Sequence, residues 1–293
     1  MKDLKEEYGI RPDVINYDDI RKMIPALDGH PKIAERLMKL IWIDKVNRAH
    51  AACCDTPGWE FSQHLLFDQF RMKVEVEGEE ILNNLPQGPF ITVSNHPFGA
   101  IDGIILIYLI GSRRPQFKVM VNMLLNYISA MRPNFIAVDQ SASQDPEKRA
   151  VSVNGIRSVL KQLRAGEPIG FFPAGAMSKT TLRDGLQDRP WQDSVLQIIY
   201  KAKVPVIPIF FHGRNSRLCN IMGHVCWPLR SLMIPSEMFK KSGTTVKVTV
   251  GEPISVEEQS RFDNPRSLGD FLRMKTYELK KGRPGAEVCM HDR

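Results

Sequence analysis

The chain has 293 residues, 43% of them hydrophobic and 25% charged, a composition of ordinary globular type with room for one large core. Its longest uninterrupted apolar run, 104–110, falls far short of the roughly 20 residues that cross a bilayer, and its five cysteines lack metal-ligand spacing, so free thiols in a reducing compartment are expected. A formal charge of +7 calls for an acidic partner, yet no zinc-finger spacing, RNA-binding aromatic signature or basic helical run points to nucleic acid, which leaves a membrane surface or an acidic carrier protein.

Residues 1–72 read as an amphipathic helical element. Asp18, Asp19 and Ile20 open a short helix ending near Pro25, and Pro31 suits the first turn of a helix running to His50. Ile33, Leu37, Leu40, Ile41 and Val46 fall near helical spacing along it, and a third helix over 59–70 carries Phe61, Leu65, Leu66 and Phe70. These stripes either pack on the main domain or rest on a membrane, and Trp42 and Trp59 are the residues to watch. The charged start, residues 1–7, holds no apolar segment of signal-peptide type, so a cytoplasmic location is expected.

From Arg71 the pattern switches to alternation, with Met72, Val74 and Val76 on one face of a strand that ends at Gly78. Further strands are predicted over 89–93, 117–121, 134–138, 168–172, 205–211 and 245–250. Helices are predicted from 104, from the third strand through Met131, over 146–165 with Val153, Ile156, Val159, Leu160 and Leu163 buried, and over 193–201 and 267–280. Alternating strand and helix predicts an α/β fold: a single domain over 73–281 with a central, largely parallel sheet flanked by helices, followed by a flexible tail, 282–293.

Between the strand at 89–93 and the apolar run lies Ser94, Asn95, His96, Pro97, Phe98, Gly99, Ala100, Ile101, Asp102 and Gly103. A histidine and a carboxylate thus share a turn between strand and helix, where α/β folds place their chemistry. His96 is a candidate general base, and Asp102 a candidate acceptor for its far ring nitrogen, fixing the tautomer. Gly99 and Gly103 allow a sharp turn and close approach of a substrate.

The run from Asn95 to Gly103 resembles block one of the glycerophospholipid/lysophospholipid acyltransferase superfamily (1-acylglycerol-3-phosphate acyltransferase-like), a His and an Asp separated by four residues. Here five intervene, a spacing similar to that of a bacterial branch described as hemolysin-like or lyso-ornithine-lipid acyltransferase-like. Residues 134–138 resemble block two, 171–178 block three and 204–209 block four, so the resemblance covers roughly residues 70–255. It implies transfer of an acyl group from a thioester, on acyl carrier protein or coenzyme A, to the hydroxyl of a lyso-lipid at the inner face of the membrane, with no metal and no other cofactor. His96 and Asp102 would be catalytic, and Asn95, Phe98, Gly99, Pro173, Gly175 and Ser178 would contact substrate. Backbone amides around Gly175 and Ala176 are candidate oxyanion donors.

Three positions depart from the family pattern. Val138 and Met177 stand where arginines are usual, and Ala174 where a glutamate is usual. An apolar side chain cannot replace the paired donors of an arginine toward phosphate, so the expected acceptor is not a glycerol phosphate. Lys179, Arg183 and Arg214 could instead meet a carboxylate, as in an N-(3-hydroxyacyl) amino acid of the glycine or ornithine type. Basic pairs such as Arg113 with Arg114 and Lys201 with Lys203 could draw in an acidic donor. The alternatives are a divergent phosphatidic acid synthase and a non-catalytic, lipid-binding hemolysin-like protein. His64, His96 and His212 lack ligand spacing, which argues against a metal hydrolase.

Overall fold

The structure, a computed structural model, describes residues 4–138, 146–181, 185–283 and 285–292. Its N-terminal part holds α1 (Leu4–Tyr8), α2 (Tyr17–Met23), α3 (Pro31–Leu40), α4 (Ile43–Ala51) and α5 (Trp59–His64), the last widening into a π-type turn over Leu65–Gln69. Asn16 caps α2 in a reciprocal box with Asp19. The single helix expected from Pro31 to His50 is broken at Trp42, whose φ of 67° ends α3 and starts α4. The Trp42 indole meets Phe239 at 6.0 Å and carries the Lys45 ammonium 3.4 Å from its ring. Trp59 lies on Gly111, where an added methyl would approach it to 2.6 Å. Phe61, Leu66 and Phe70 are fully buried beside it, so both tryptophans contact the main domain.

The remaining elements are β1 (Lys73–Glu77), α6 (Glu79–Asn83), β2 (Ile91–Ser94), α7 (Ala100–Gly111), β3 (Lys118–Asn122), β4 (Phe135–Val138), α8 (Pro146–Arg164), β5 (Ile169–Phe171), the hairpin β6 (Lys179–Thr181) and β7 (Gly185–Gln187), α9 (Asp193–Ala202) and β8 (Val206–Phe211). They continue through α10 (Arg217–Val225), α11 (Trp227–Leu232), α12 (Ile234–Lys240), β9 (Thr245–Val250), α13 (Val256–Gln259), α14 (Pro265–Glu278) and β10 (Val288–His291). The main sheet has eight strands in the order β10-β1-β9-β8-β2-β5-β3-β4. β8, β2, β5, β3 and β4 run parallel, β9 lies antiparallel to β8, β1 is parallel to β9, and β10 closes the edge antiparallel to β1. The expected α/β architecture with a largely parallel central sheet is thus present. Every residue of β2 and β8 is buried, because helices cover both faces. Ile207, Ile209 and Phe211 join α7 in one core, whereas Ile91, Val93, Ile169 and Phe171 join α8 and α9 in the other.

Three local expectations are corrected. The segment after β3 forms two tight turns, Met123–Tyr127 and Ser129–Asn134, instead of a helix; the Asn122 side chain caps the Leu124 amide and Pro133 supplies no N–H. On α8, Val159 and Leu163 are buried but Val153 and Ile156 are exposed, because Gly155 is the residue laid against Val138, with space for no side chain. The tail expected to be flexible after Gly282 supplies β10, which pairs with the edge of β1 and is held by His291 Nε2 at 2.9 Å from Glu79 and Nδ1 at 3.0 Å from the Tyr108 hydroxyl. Among the described residues no helix is long and apolar enough to cross a membrane.

Candidate active site

Strands β8, β2 and β5 lie side by side in the sheet, and the loops leaving their C-terminal ends converge. The first contact is made by Asn95. Its Nδ2 donates to the Phe211 carbonyl at 2.9 Å and its Oδ1 accepts the Phe211 amide at 2.7 Å, adding one rung to the ladder as the chain leaves β2. Asn95, expected to contact substrate, is therefore committed to the scaffold.

The chain then turns through Gly99, which has φ 87° and lies so near Met177 that an added methyl would sit 2.8 Å from its sulfur. Asp102 occupies the third position of α7 and accepts the Phe98 and Gly99 amides on Oδ2 at 2.9 and 3.0 Å. His96 Nδ1 lies 3.0 Å from the same oxygen. The ring N–H points off that line, so the contact is a close electrostatic pair rather than an aligned hydrogen bond. Asp102 is fully buried, and burial pushes its carboxyl upward against the opposing pull of His96 and the two amides. The Phe172 ring stacks on the imidazole at 4.2 Å, fixing its plane.

Block three is tied to this turn from below. The Ser178 amide donates to the His96 carbonyl at 2.8 Å, and the Ser178 hydroxyl donates to Asp188 Oδ1 at 2.6 Å. The same oxygen accepts the His96 amide at 3.2 Å. α14 holds Asp188 in turn: its amide donates to the Tyr277 hydroxyl at 2.7 Å, and Arg273 donates to its carbonyl at 3.1 Å. Burial raises the Asp188 carboxyl, with Ser178 and the His96 amide opposing.

The other expected site residues divide. Phe98 is buried between Gly213 and the Lys241 ammonium, 4.9 Å from its ring, and its carbonyl accepts from Asn215 at 3.1 Å. Gly175 adopts φ 63° and donates its amide to the Phe172 carbonyl at 2.9 Å, so it is withdrawn from the expected oxyanion role; the adjacent Ala176 amide meets no acceptor among the described residues. Pro173 accepts the Gln192 amide at 2.8 Å, and Arg214 stands exposed on the loop that closes on Phe98. Arg183 lies outside the described residues. Of the departing positions, Met177 fills the space beside Gly99, Ala174 is buried in the core, and Val138 packs on Gly155 in the strand at the far edge of the sheet.

Lys179 opens β6 beside two arginines that composition and spacing do not mark out. Arg230 of α11 is only 1% exposed; it donates to the Ser178 and Met177 carbonyls at 2.8 and 3.4 Å and meets no carboxylate among the described residues. Burial, then Arg189 and Arg230, push the Lys179 ammonium below the ordinary lysine value. Arg189 follows Asp188 directly. Lys179 and Arg230, which form no ion pair among the described residues, thus adjoin the Ser178 backbone whose amide holds the His96 carbonyl. Asp188 and Arg230 could not be found from the sequence, being 92 and 134 residues from His96 in the chain, and Asp188 has no motif around it. The histidines at 64 and 212 bind elsewhere, to Asp68 at 2.7 Å and Thr249 at 2.8 Å. Among the described residues the ligand-type cluster of Glu79, Cys289 and His291 sits at the β1–β10 edge, where Arg113 already pairs with Glu79.

The arrangement brings His96, Asp102 and the block-three backbone together, with Arg230 bonded to that backbone. The acyltransferase family model matches residues 21–284 of the chain. The lyso-glycine lipid O-acyltransferase of Bacteroides thetaiotaomicron is 27% identical over 256 residues, 84% of this chain and 89% of that protein. The lyso-glycine lipid O-acyltransferase of Phocaeicola vulgatus is 28% identical over 221 residues, 71% of this chain and 73% of that one. Among solved structures, the 1-acyl-sn-glycerophosphate (LPA) acyltransferase PlsC of Thermotoga maritima aligns over 86% of this chain and 89% of its own, with a TM-score of 0.50 and 16% identity, a likeness of fold.

Proposed function

The chain belongs to the acyltransferase family, and from its site we propose that it esterifies the 3-hydroxyl of an N-(3-hydroxyacyl) amino acid, of the glycine or ornithine type, with a fatty acyl group from a thioester. The donor is acyl carrier protein or coenzyme A, and the work is done at the inner face of the membrane. A hydroxyl is a weak nucleophile near neutral pH, so His96 Nε2 takes its proton as the oxygen attacks the thioester carbonyl. Asp102 stabilises the imidazolium by its nearby negative charge, and alignment of the Nδ1–H with its carboxylate on substrate binding leaves Nε2 basic. The carbon–oxygen bond forms, the oxyanion faces the Ala176 amide, and its collapse breaks the carbon–sulfur bond. The departing thiolate takes the proton back from His96, which balances the cycle.

The observation that carries this reading is the cluster of Lys179, Arg189 and Arg230 beside an apolar Met177. It offers an anionic head group several weak positive contacts while withholding the arginine at block three itself. The names of the two bacterial relatives support an amino-acid head group. The test is a mass-spectrometric assay with long-chain acyl carrier protein and, separately, N-(3-hydroxyacyl)glycine, its ornithine analogue and lysophosphatidic acid, with His96→Ala as control. A diacylated amino acid absent from the variant is expected. Phosphatidic acid as the main product would replace this acceptor with a glycerol phosphate, and no product from any acceptor would favour a non-catalytic lipid binder.

A further inference from the structure

Helices α10 and α11 carry a surface that acyl transfer itself does not use. Along α10, Leu218, Ile221 and Val225 fall at i, i+3 and i+7, one stripe, and are 59, 58 and 73% exposed. α11 adds Leu229 and Leu232, also exposed. The buried side of α10 is small or polar, namely Cys219, Asn220 and Gly223, and Arg230 crosses it at Gly223, where an added methyl would lie 3.0 Å from the arginine. The usual order of an amphipathic helix is inverted: its apolar stripe faces outward.

The rim is cationic. Arg214 and Arg217 are exposed and form no ion pair among the described residues, and Lys240 lies at the end of α12. Across residues 212–243 the one acidic residue is Glu237, which is buried and bonded to Ser216 and Lys240. A second copy of this chain would bring the same cations against these, so charge opposes self-association through this face. An anionic bilayer answers both parts: acyl chains for the leucine and isoleucine side chains, and phosphate head groups for the arginines.

We propose that α10 and α11 lie in the interface of an anionic membrane and seat the protein there. The face is continuous with the site. Ser216 caps α10 directly after Asn215, which holds the Phe98 carbonyl, and the underside of α11 reaches the Ser178 carbonyl through Arg230. A lyso-lipid leaving the bilayer beside α11 meets the cationic wall and His96 without crossing bulk water. The purpose given to this face rests on the lipid-acyltransferase reading, but vesicle binding needs no substrate, so either can fail without the other. α3 also exposes Ile33 and Leu40, interleaved with Lys32, Glu35, Arg36 and Lys39, and it serves as the control.

The experiment is co-sedimentation of the full chain with phosphatidylcholine vesicles, with and without roughly 30% phosphatidylglycerol. The wild type is expected to pellet with the anionic vesicles and to be released by salt. Ile221→Glu with Val225→Glu is expected to weaken binding about tenfold or more, while Ile33→Glu with Leu40→Glu leaves it within about twofold. Leu218→Ser with Leu229→Ser is the milder second pair should the first fail to fold. Loss of binding in the α3 pair but not in either patch pair overturns the proposal. So does a wild type that ignores the vesicles, or one that dimerises through this face and becomes monomeric in the patch variants.

Discussion

The Ser178 hydroxyl and Asp188 are bonded at 2.6 Å, and the carboxylate oxygen they share also takes the backbone amide of His96 at 3.2 Å. Asp188 therefore holds the backbone of the proposed base, a positioning role. Asp188→Ala is expected to lower kcat by about 10- to 100-fold, since small displacements of reacting groups carry penalties of that size. KM should change little, and Asp188→Asn, which keeps an acceptor for Ser178, should recover part of the loss. An unchanged kcat in Asp188→Ala, with the protein folded, would remove the positioning role.

His96→Ala is expected to reduce turnover by about 10²- to 10⁴-fold, the range for loss of a general base. Asp102→Asn should fall less far but should also be less stable: its carboxamide oxygen can still accept the Phe98 and Gly99 N–H groups, but its NH2 is then buried at the Oδ1 position, which has no hydrogen-bond partner. Single-turnover rates and thermal unfolding of the two variants check both statements.

Lys179→Met tests the anionic wall. The side chain makes no ion pair among the described residues, so melting should shift little, while KM for an amino-acid acceptor should rise by about tenfold, the worth of one charge-assisted contact. KM for the thioester should stay within about twofold. Steady-state kinetics with each substrate varied in turn separates the two.

The thiols should react in two classes. Burial pushes the Cys53 thiol up to about 12 and raises those of Cys54 and Cys219, whereas Cys226 and Cys289 are half-exposed. Brief iodoacetamide treatment near pH 8 should label Cys226 and Cys289 first, as read by peptide mass spectrometry. Early labelling of Cys53 would contradict its burial, where its thiol donates to the Ala49 carbonyl of α4.

Acid should loosen the C-terminal strand before the core. Burial alone would raise Glu77 and Glu79, but the Arg283 amide, Lys247 and Thr249 on the first, and His291 and Arg113 on the second, bring both below the ordinary glutamate value of 4.5. The folded form then binds fewer protons than the unfolded one just below that value. The stabilisation is complete above it and is lost as the pH falls through the depressed values. Hydrogen-exchange protection of the amides at 288–291 should drop at about pH 3 relative to neutral, while that of β2 persists.

Much of this architecture was legible in the residues. The alternation over 245–250 marks β9 to the residue, and the apolar stretch at 89–93 with its following turn marks β2, His96 and Asp102. What escaped has physical causes. α10 and α11 turn their apolar side outward, so their periodicity signals a surface and not a core. β10 is only four residues long and gains its order from pairing with β1 and from Glu79 and Tyr108, neither of which is near it in the chain. Gly175 looked like a donor until the turn it adopts took its amide. Local patterns report local forces, and the contacts of Asp188 with His96 and of Arg230 with Met177 and Ser178 are not local.

The Arg230 guanidinium lies inside the protein with two carbonyl partners and no carboxylate among the described residues. The unliganded enzyme is therefore held below the stability its fold could reach. Under the proposed function, an acceptor carboxylate bound near Arg230 favours the folded form by mass action. Cells continually clear unfolded chains, so under the proposed function the amount of this protein should follow the supply of its acceptor. The catalyst would then be matched to its feedstock by electrostatics alone, with no separate regulator.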